Sequence, residues 1–127
     1  MSLRFERHYT REEAQAALPW VIQVLPRARH HRDRLVSLQT RVDQISSGGA
    51  EVGGESVNDL MRETAAFQGI LAEFQKRQIF IKDLDRGLLD FPALVGGREV
   101  FLCWEEGEPT VEFWHDLDSG YAGREAL

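Results

Sequence analysis

The sequence predicts an α+β fold, in which an antiparallel helical hairpin is followed by a four-stranded antiparallel meander. Two observations support this prediction. Apolar residues recur every three or four positions between residues 10 and 78, and from residue 79 the apolar pattern takes the period of strands. The length of 127 residues is that of one domain. We expect a single domain, with the hairpin at 10–78, the sheet at 79–117 and a C-terminal tail at 118–127.

A capping box marks the start of the first helix. Residues 10–13 read Thr-Arg-Glu-Glu, so the Thr10 hydroxyl can accept a hydrogen bond from the Glu13 amide while the Glu13 carboxylate accepts one from the Thr10 amide. Pro19 and Pro26 follow within the apolar stripe, and each lacks the amide hydrogen that a helix interior needs. We therefore expect the first helix to be broken near Pro19 and to run on to about residue 46.

A glycine-rich segment separates the two predicted helices. Residues 47–55 contain four glycines in nine positions, which is typical of a flexible connection. The second apolar stripe starts after Ser56, whose hydroxyl can cap a helix. Two amphipathic helices with so short a connection predict an antiparallel hairpin.

Four short strands are predicted after the helices, at 79–82, 88–95, 100–104 and 111–115. The glycine pair at 96–97 predicts a two-residue hairpin turn, because glycines accept the positive φ angles of a type I′ turn. The third strand is apolar at every position, so we expect it to be central and buried on both faces.

Five segments of the sheet half form a recognisable pattern. They read Lys-Asp-Leu-Asp-x-Gly-Leu at 82–88, Asp-Phe-Pro-Ala at 90–93, Gly-Arg-Glu-Val at 97–100, Leu-Cys-Trp at 102–104 and Phe-Trp-His-Asp-Leu at 113–117. On these segments the sequence resembles the prokaryotic family catalogued as domain of unknown function 2203. It departs from the family at 77–78, where Arg-Gln stands in place of the glycine that usually precedes the first strand. The resemblance implies no activity, because the family has none assigned.

Composition excludes several classes of protein. Cys103 is the one cysteine, so no intrachain disulfide can form and a disulfide-stabilised secreted scaffold is excluded. No apolar run reaches the roughly 18 residues of a membrane span, and the N-terminus lacks the apolar core of a signal peptide. We expect a cytoplasmic protein with no membrane partner.

Charge is divided unevenly along the chain. Residues 1–78 have 11 basic and 10 acidic side chains, whereas residues 79–127 have 4 basic and 11 acidic ones. The acidic sheet half argues against nucleic acid as a partner, because it repels phosphate. The first helix does contain a basic stretch, which is either a solvated helix face or a weak site for nucleic acid. Its members are Arg27, Arg29, His30, His31, Arg32, Arg34 and Arg41.

The pattern Asp-Leu-Asp-x-Gly occurs twice, at 83–87 and 116–120, each time at the end of a predicted strand. Residues two apart on a strand share a face, so each pair of carboxylates could bind a divalent cation. Alternatively, the aspartates accept hydrogen bonds from backbone amides in glycine-containing turns. An imidazole next to the second copy also suits a transition metal or proton transfer. The metal interpretation places the ligands at His115, Asp116 and Asp118.

In a four-stranded meander the first and fourth strands end at opposite edges of the sheet, so the two copies should not meet. The candidate polar residues then form two groups. One comprises Lys82, Asp83, Asp85, Trp104 and Glu105, and the other comprises Arg98, His115, Asp116 and Asp118. We expect His115 to be buried with a hydrogen-bonding partner. We expect Cys103 to be unreactive, because burial in an apolar strand raises the pKa of its thiol.

Three functions are compatible with these residues, and the sequence does not decide whether the protein is an enzyme. The first is a small binding or assembly protein that forms a homodimer through its helices, because four strands are too few to cover both apolar stripes. The second is a metal-dependent enzyme that uses carboxylates and His115 at a strand end. The third is binding of nucleic acid by the basic stretch.

Overall fold

A computed structural model describes residues 3–49 and 54–127 of the chain. Two α-helices come first, α1 at Arg11–Ser47 and α2 at Glu55–Arg77, and an antiparallel sheet of five strands follows them. The predicted α+β class is therefore confirmed. The connection predicted at 47–55 includes residues 50–53, which lie outside the described part of the chain.

The chain divides into two compact units. Met1–Gln23 and Phe74–Leu127 form the first, which we call the sheet unit, and Val24–Glu73 form the second, which we call the helical unit. The prediction that residues 1–127 make one domain stays a prediction. None of the described helices combines the length and the hydropathy that a membrane span requires.

The capping box at the start of α1 is confirmed. The Glu13 amide donates to the Thr10 hydroxyl at 3.0 Å, and the Thr10 amide donates to the Glu13 carboxylate at 3.0 Å. These two bonds from Thr10 hold the pKa of Glu13 below its usual value. The local sequence thus sets this helix end without help from the rest of the fold.

The predicted break near Pro19 is wrong, because α1 is continuous through both prolines. A proline inside a helix costs about 3 kcal/mol or more. Four apolar side chains around the prolines, at Leu18, Val21, Val24 and Leu25, are each at most 6% exposed. Burying one such side chain contributes about 1.5–3 kcal/mol, so four of them outweigh the cost. Pro19 is itself exposed, so water is available to the carbonyl that loses its donor.

Helix α2 ends in a Schellman motif at Gln78. The Ile79 amide donates to the Phe74 carbonyl at 3.0 Å and the Gln78 amide donates to the Gln75 carbonyl at 3.0 Å. This motif requires a left-handed residue, and Gln78 adopts φ 53°. Gln78 therefore adopts a strained left-handed conformation at the point where the resembled family usually has a glycine before the first strand. Its side-chain oxygen also receives a hydrogen bond of 3.2 Å from the Arg7 amide.

The sheet has the order β1-β2-β3-β4-β5, and all neighbouring strands are antiparallel. The strands are β1 Phe80–Asp83, β2 Leu88–Val95, β3 Arg98–Glu105, β4 Phe113–Asp116 and β5 Glu125–Ala126. The prediction of four strands is wrong, because part of the supposed tail pairs with β4. Two residues are too few to show a strand period in the sequence, so only pairing with a neighbour identifies β5.

The other local predictions for the sheet are confirmed. Gly96 and Gly97 have φ angles of 59° and 79°, as a type I′ turn requires. Val100–Trp104 are all buried, and β3 pairs with β2 and β4. Residues directly opposite each other share a face, so Asp90, Cys103 and Phe113 lie in one row across the sheet.

Glu99 anchors the segment before α1 to the sheet. Its carboxylate accepts hydrogen bonds from the Arg4 amide at 2.6 Å, the Phe5 amide at 2.9 Å and His8 Nε2 at 2.9 Å. Burial opposes ionisation of this carboxyl, but the hydrogen bonds from Arg4, His8 and Phe5 outweigh it and keep the pKa of Glu99 below its usual value. The anchored segment places the Phe5 ring 5.4 Å from the Phe101 ring.

We predict that Gln78→Gly is more stable than Gln78→Ala by about 1 kcal/mol, because only glycine adopts the left-handed conformation without a steric cost. Both variants lose the side-chain bond to Arg7, so that contact cancels in the comparison. Urea denaturation of the two variants at one pH measures the difference. Equal free energies of unfolding would contradict a strained Gln78.

Candidate functional site

One face of the sheet brings together three side chains that can bind a metal ion. Asp90 on β2, Cys103 on β3 and His115 on β4 are all buried, and a carboxylate oxygen, the sulfur and a ring nitrogen lie within 4.8 Å of one another. Adjacent strands are about 4.8 Å apart, so Asp90 and His115 lie on strands that are about 10 Å apart, with β3 between them. Their side chains converge above β3 beside Cys103. We call these three residues the buried cluster.

His115 is hydrogen-bonded through both ring nitrogens. Nδ1 lies 2.7 Å from the Asp116 carbonyl oxygen and Nε2 lies 2.9 Å from Asp90 Oδ1. A carbonyl oxygen only accepts, so Nδ1 carries a hydrogen and donates it. The contact with Asp90 then needs a second proton, which belongs either to Nε2 or to the carboxyl. The prediction that His115 is buried with a partner is therefore confirmed.

Asp90 is only 2% exposed, which is unusual for a carboxyl group. Burial raises its pKa, while the His115 hydrogen bond and the charge of Lys82 oppose the rise. The net effect keeps the pKa of Asp90 above its usual value, because desolvation disfavours the charged form more than these neighbours favour it.

The thiol of Cys103 is buried and its pKa is raised, as the sequence predicted. Burial and the nearby Asp90 charge raise the pKa of the thiol to about 12, although the Arg124 charge opposes them. Arg124 Nη1 lies 3.9 Å from the sulfur. Only a metal ion in direct contact would supply enough positive charge to make this sulfur a thiolate at neutral pH.

A cavity of about 180 Å³ adjoins the buried cluster, and all three of its residues line it. Lys82 adds an ammonium group to the wall, and it lies where the pairing of β1 with β2 shifts register between Ile81 and Asp83. A bulge of this kind redirects a side chain. The rest of the wall comprises Leu88, Phe101, Leu117, Gly120 and Tyr121.

The segment after β4 covers part of this face. The Arg124 guanidinium lies 3.8 Å from the Phe113 ring centroid and forms an ion pair with Glu108. The Tyr121 hydroxyl donates to Glu105 at 3.2 Å. The supposed tail at 118–127 is therefore ordered by contacts with the sheet, and it closes one side of the cavity.

At the first edge of the sheet each of the predicted acidic residues has a partner within the chain. Asp83 accepts a hydrogen bond from the Arg86 amide at 3.0 Å, which is the turn-stabilising interaction considered for it. Glu105 forms an ion pair with Arg86 at 2.7 Å, and Asp85 also has a partner. Of this predicted group, Lys82 alone lines the cavity. Trp104 is 1% exposed and donates to the Glu108 carbonyl, so it is a core residue.

At the other edge Arg98 and Asp116 form an ion pair, so the predicted proximity of these residues is confirmed. They line an open depression of about 500 Å³ together with Asp118. His115 lies opposite Phe101 whereas Asp116 lies opposite Val100, which turns the two side chains to different faces. Among the described residues the one cluster of three potential metal ligands excludes Asp116 and Asp118. Their role as ligands with His115 stays a prediction.

The sequence analysis did not identify Asp90 as a site residue, and it predicted that Cys103 is a buried, unreactive residue. A signal for Asp90 was present, because it is one acidic residue in the strand Leu-Leu-Asp-Phe-Pro-Ala-Leu-Val. A charge inside an apolar strand needs a partner, and His115 is the one histidine in the sheet half of the sequence. Their meeting, however, depends on the strand register, which no local pattern gives.

The basic stretch of α1 is partly neutralised within the helical unit. His31 Nδ1 lies 2.6 Å from a Glu63 oxygen, Arg34 lies 3.5 Å from the same carboxylate, and Arg32 pairs with Asp33 at 2.8 Å. The His31 hydrogen bond holds the pKa of Glu63 below its usual value. These pairs reduce the positive charge available for phosphate, and weak binding of nucleic acid stays a prediction.

Comparisons with known proteins give a family but no relative of known activity. One family model, described as "Uncharacterized conserved protein (DUF2203)", matches residues 7–127. No curated protein and no solved structure matches the chain.

We predict that His115→Leu lowers the free energy of unfolding by about 3–5 kcal/mol at pH 7 in metal-free protein, because it leaves Asp90 buried without its partner. The raised pKa of Asp90 means that its contribution to stability is present at low pH and is lost as pH rises through the folded value. Without His115 that pKa rises further, so the loss of stability should be smaller at pH 4 than at pH 7.

Urea denaturation of wild type and His115→Leu at both pH values, with a chelator present, tests this prediction. The double variant Asp90→Leu/His115→Leu buries no charge and should recover part of the stability. If His115→Leu lowered the free energy of unfolding equally at pH 4 and pH 7, an ionised Asp90 would not be the cause.

Proposed function

Because the chain belongs to this family of uncharacterised conserved proteins, we propose a function from its own residues: it binds one transition-metal ion at Asp90, Cys103 and His115. The observation that supports the proposal is the convergence of three chemically different donor atoms, all buried, beside one cavity. Such a site suits either a metal-binding protein or a metal-dependent enzyme. We propose metal binding and assign no reaction.

The donor atoms lie within 4.8 Å of one another, so small side-chain movements would let all three contact one ion. Zinc lies about 2.0–2.2 Å from nitrogen and oxygen ligands and about 2.3 Å from sulfur, so tetrahedral ligand atoms are about 3.3–3.6 Å apart. Asp90 Oδ1 and His115 Nε2 lie 2.9 Å apart and share a proton. An ion that replaced this proton would require the two atoms to separate by about half an ångström. The Nδ1 bond to the Asp116 carbonyl already holds Nε2 toward the site.

The donor types select the class of metal. A set of one carboxylate, one thiolate and one imidazole suits Zn²⁺, Co²⁺ or Fe²⁺, whereas Mg²⁺ and Ca²⁺ require oxygen ligands. A thiolate site needs a reduced cysteine, and we propose a cytoplasmic location for the same reason.

We predict that the protein, stripped with a chelator, binds one Co²⁺ ion with tetrahedral d–d bands and a thiolate-to-cobalt charge-transfer band. Zinc binding to the stripped protein should release about two protons per ion, one from the thiol and one shared by Asp90 and His115, and zinc should also displace bound cobalt. Absorption spectroscopy and calorimetry in buffers of different ionisation enthalpy measure these quantities.

Cys103→Ser should abolish the charge-transfer band, and its fold is checked by circular dichroism. Asp118→Asn is the matched control, because Asp118 is exposed and lies outside the buried cluster. A charge-transfer band that persists in Cys103→Ser, or no cobalt binding by folded wild type, would reject this site. Loss of binding in Asp118→Asn would instead favour the ligand set at the end of β4.

A second function that we propose is assembly into a homodimer through the helices. The supporting observation is that Val36 on α1 and Met61 and Leu71 on α2 are 52%, 66% and 38% exposed. Apolar side chains exposed on both helices of one unit give a second copy of the chain apolar area to cover. A second copy of this chain would offer the same surface in return.

We predict a mass of about twice 14.5 kDa by size-exclusion chromatography with light scattering at micromolar concentration. Met61→Lys should shift the protein toward the monomer, because it places a charge in the apolar contact. Ala16→Lys introduces the same charge at an exposed position of α1 in the sheet unit, away from the proposed contact, and should leave the dimer intact. A wild-type protein that is monomeric at every concentration would exclude this assembly.

A further inference from the structure

We propose that the cavity beside the buried cluster binds a short-chain monocarboxylate, whose carboxylate group contacts both the metal ion and the Lys82 ammonium. The inference rests on the proposed metal site and adds the class of ligand that the site receives. Four observations support it: the size of the cavity, its charge, its apolar wall and the number of metal ligands.

The number of ligands leaves a position for an external group. Asp90, Cys103 and His115 supply three donors, and a tetrahedral ion takes a fourth. All three residues line the same cavity, so a small molecule in the cavity is next to the ion. Sites with three protein ligands use the open position for water or substrate.

The charge of the site favours a monoanion. A divalent ion with one carboxylate, one thiolate and a neutral imidazole has no net charge, and Lys82 adds one positive charge at the wall. The Lys82 ammonium lies 5.3 Å from the Phe101 ring centroid, and the ring weakly compensates its charge. One carboxylate group would satisfy both cations, whereas a phosphate dianion would carry excess negative charge.

Size and polarity limit the rest of the ligand. A cavity of about 180 Å³ holds about six non-hydrogen atoms if each takes the volume of a water molecule, roughly 30 Å³. Leu88, Phe101 and Leu117 give the wall an apolar surface away from the cluster. The cavity thus fits acetate, propionate or butyrate, with the hydrocarbon against the apolar wall and the carboxylate against the ion and Lys82.

The test uses full-length protein saturated with Co²⁺ and titrated with propionate. We expect the d–d bands to change in a saturable manner, because the carboxylate replaces water as the fourth ligand. Hexanoate, which has eight non-hydrogen atoms, and neutral propionamide should each bind at least tenfold more weakly. Inorganic phosphate should also bind at least tenfold more weakly than propionate.

Lys82→Gln should weaken propionate binding at least tenfold at saturating cobalt. Lys76→Gln is the matched control, because Lys76 is the other lysine of the sequence and lies exposed in α2. Circular dichroism checks that both variants fold.

Cobalt binding without any effect of propionate would overturn this inference and leave the proposed metal site intact. Propionate binding that is equal in Lys82→Gln and wild type, or matched by propionamide or phosphate, would overturn it as well. An absence of cobalt binding would overturn the metal site itself, and that outcome is visible before any carboxylate is added.

Discussion

The contact between Asp90 and His115 is the interaction on which the arrangement of the sheet unit depends. A carboxyl group buried to this degree costs several kcal/mol of desolvation unless a partner offsets the cost. The partner comes from two strands away, so the contact forms only in the register that places Phe101 opposite His115 and Cys103 opposite Asp90. A slip of β4 by one residue would turn His115 to the other face and leave Asp90 alone. The same register brings Cys103 between them.

Both ends of the described chain help to exclude water from this face. Phe5 packs against Phe80 and Phe101 on one side, and Arg124 packs over Phe113 on the other. The Phe5 position in turn depends on Glu99, whose carboxylate accepts two backbone amides of the N-terminal segment. Water exclusion matters to the proposed site because electrostatic interactions strengthen as the surroundings become less polar. The cavity is the part of the face that these segments leave open.

The elements that the sequence predicted correctly depend on interactions between residues that are close together in the chain. The capping box needs only Thr10 and Glu13, and the type I′ turn needs only the two glycines at 96–97. The two helices were predicted from the spacing of their apolar residues, and the buried central strand was predicted from an uninterrupted apolar run. Both patterns show which side chains of a segment pack into an apolar core. Predictions failed where packing outweighed local preference. Pro19 did not break α1, because the surrounding side chains are buried, and β5 exists only because β4 offers it a pairing edge.

The sequence by itself determined the class of fold, the family and the expectation that His115 is buried with a partner, whereas Asp90 was not identified as a residue that needs one. It could not determine that they are partners of each other. Asp90 and His115 are 25 residues apart, and their contact is set by strand order and register. Those depend on the summed free energy of many cross-strand pairs rather than on any one residue. The tertiary structure therefore decided which residues meet, and it moved the candidate site from the ends of the strands to the buried face between Asp90 and His115.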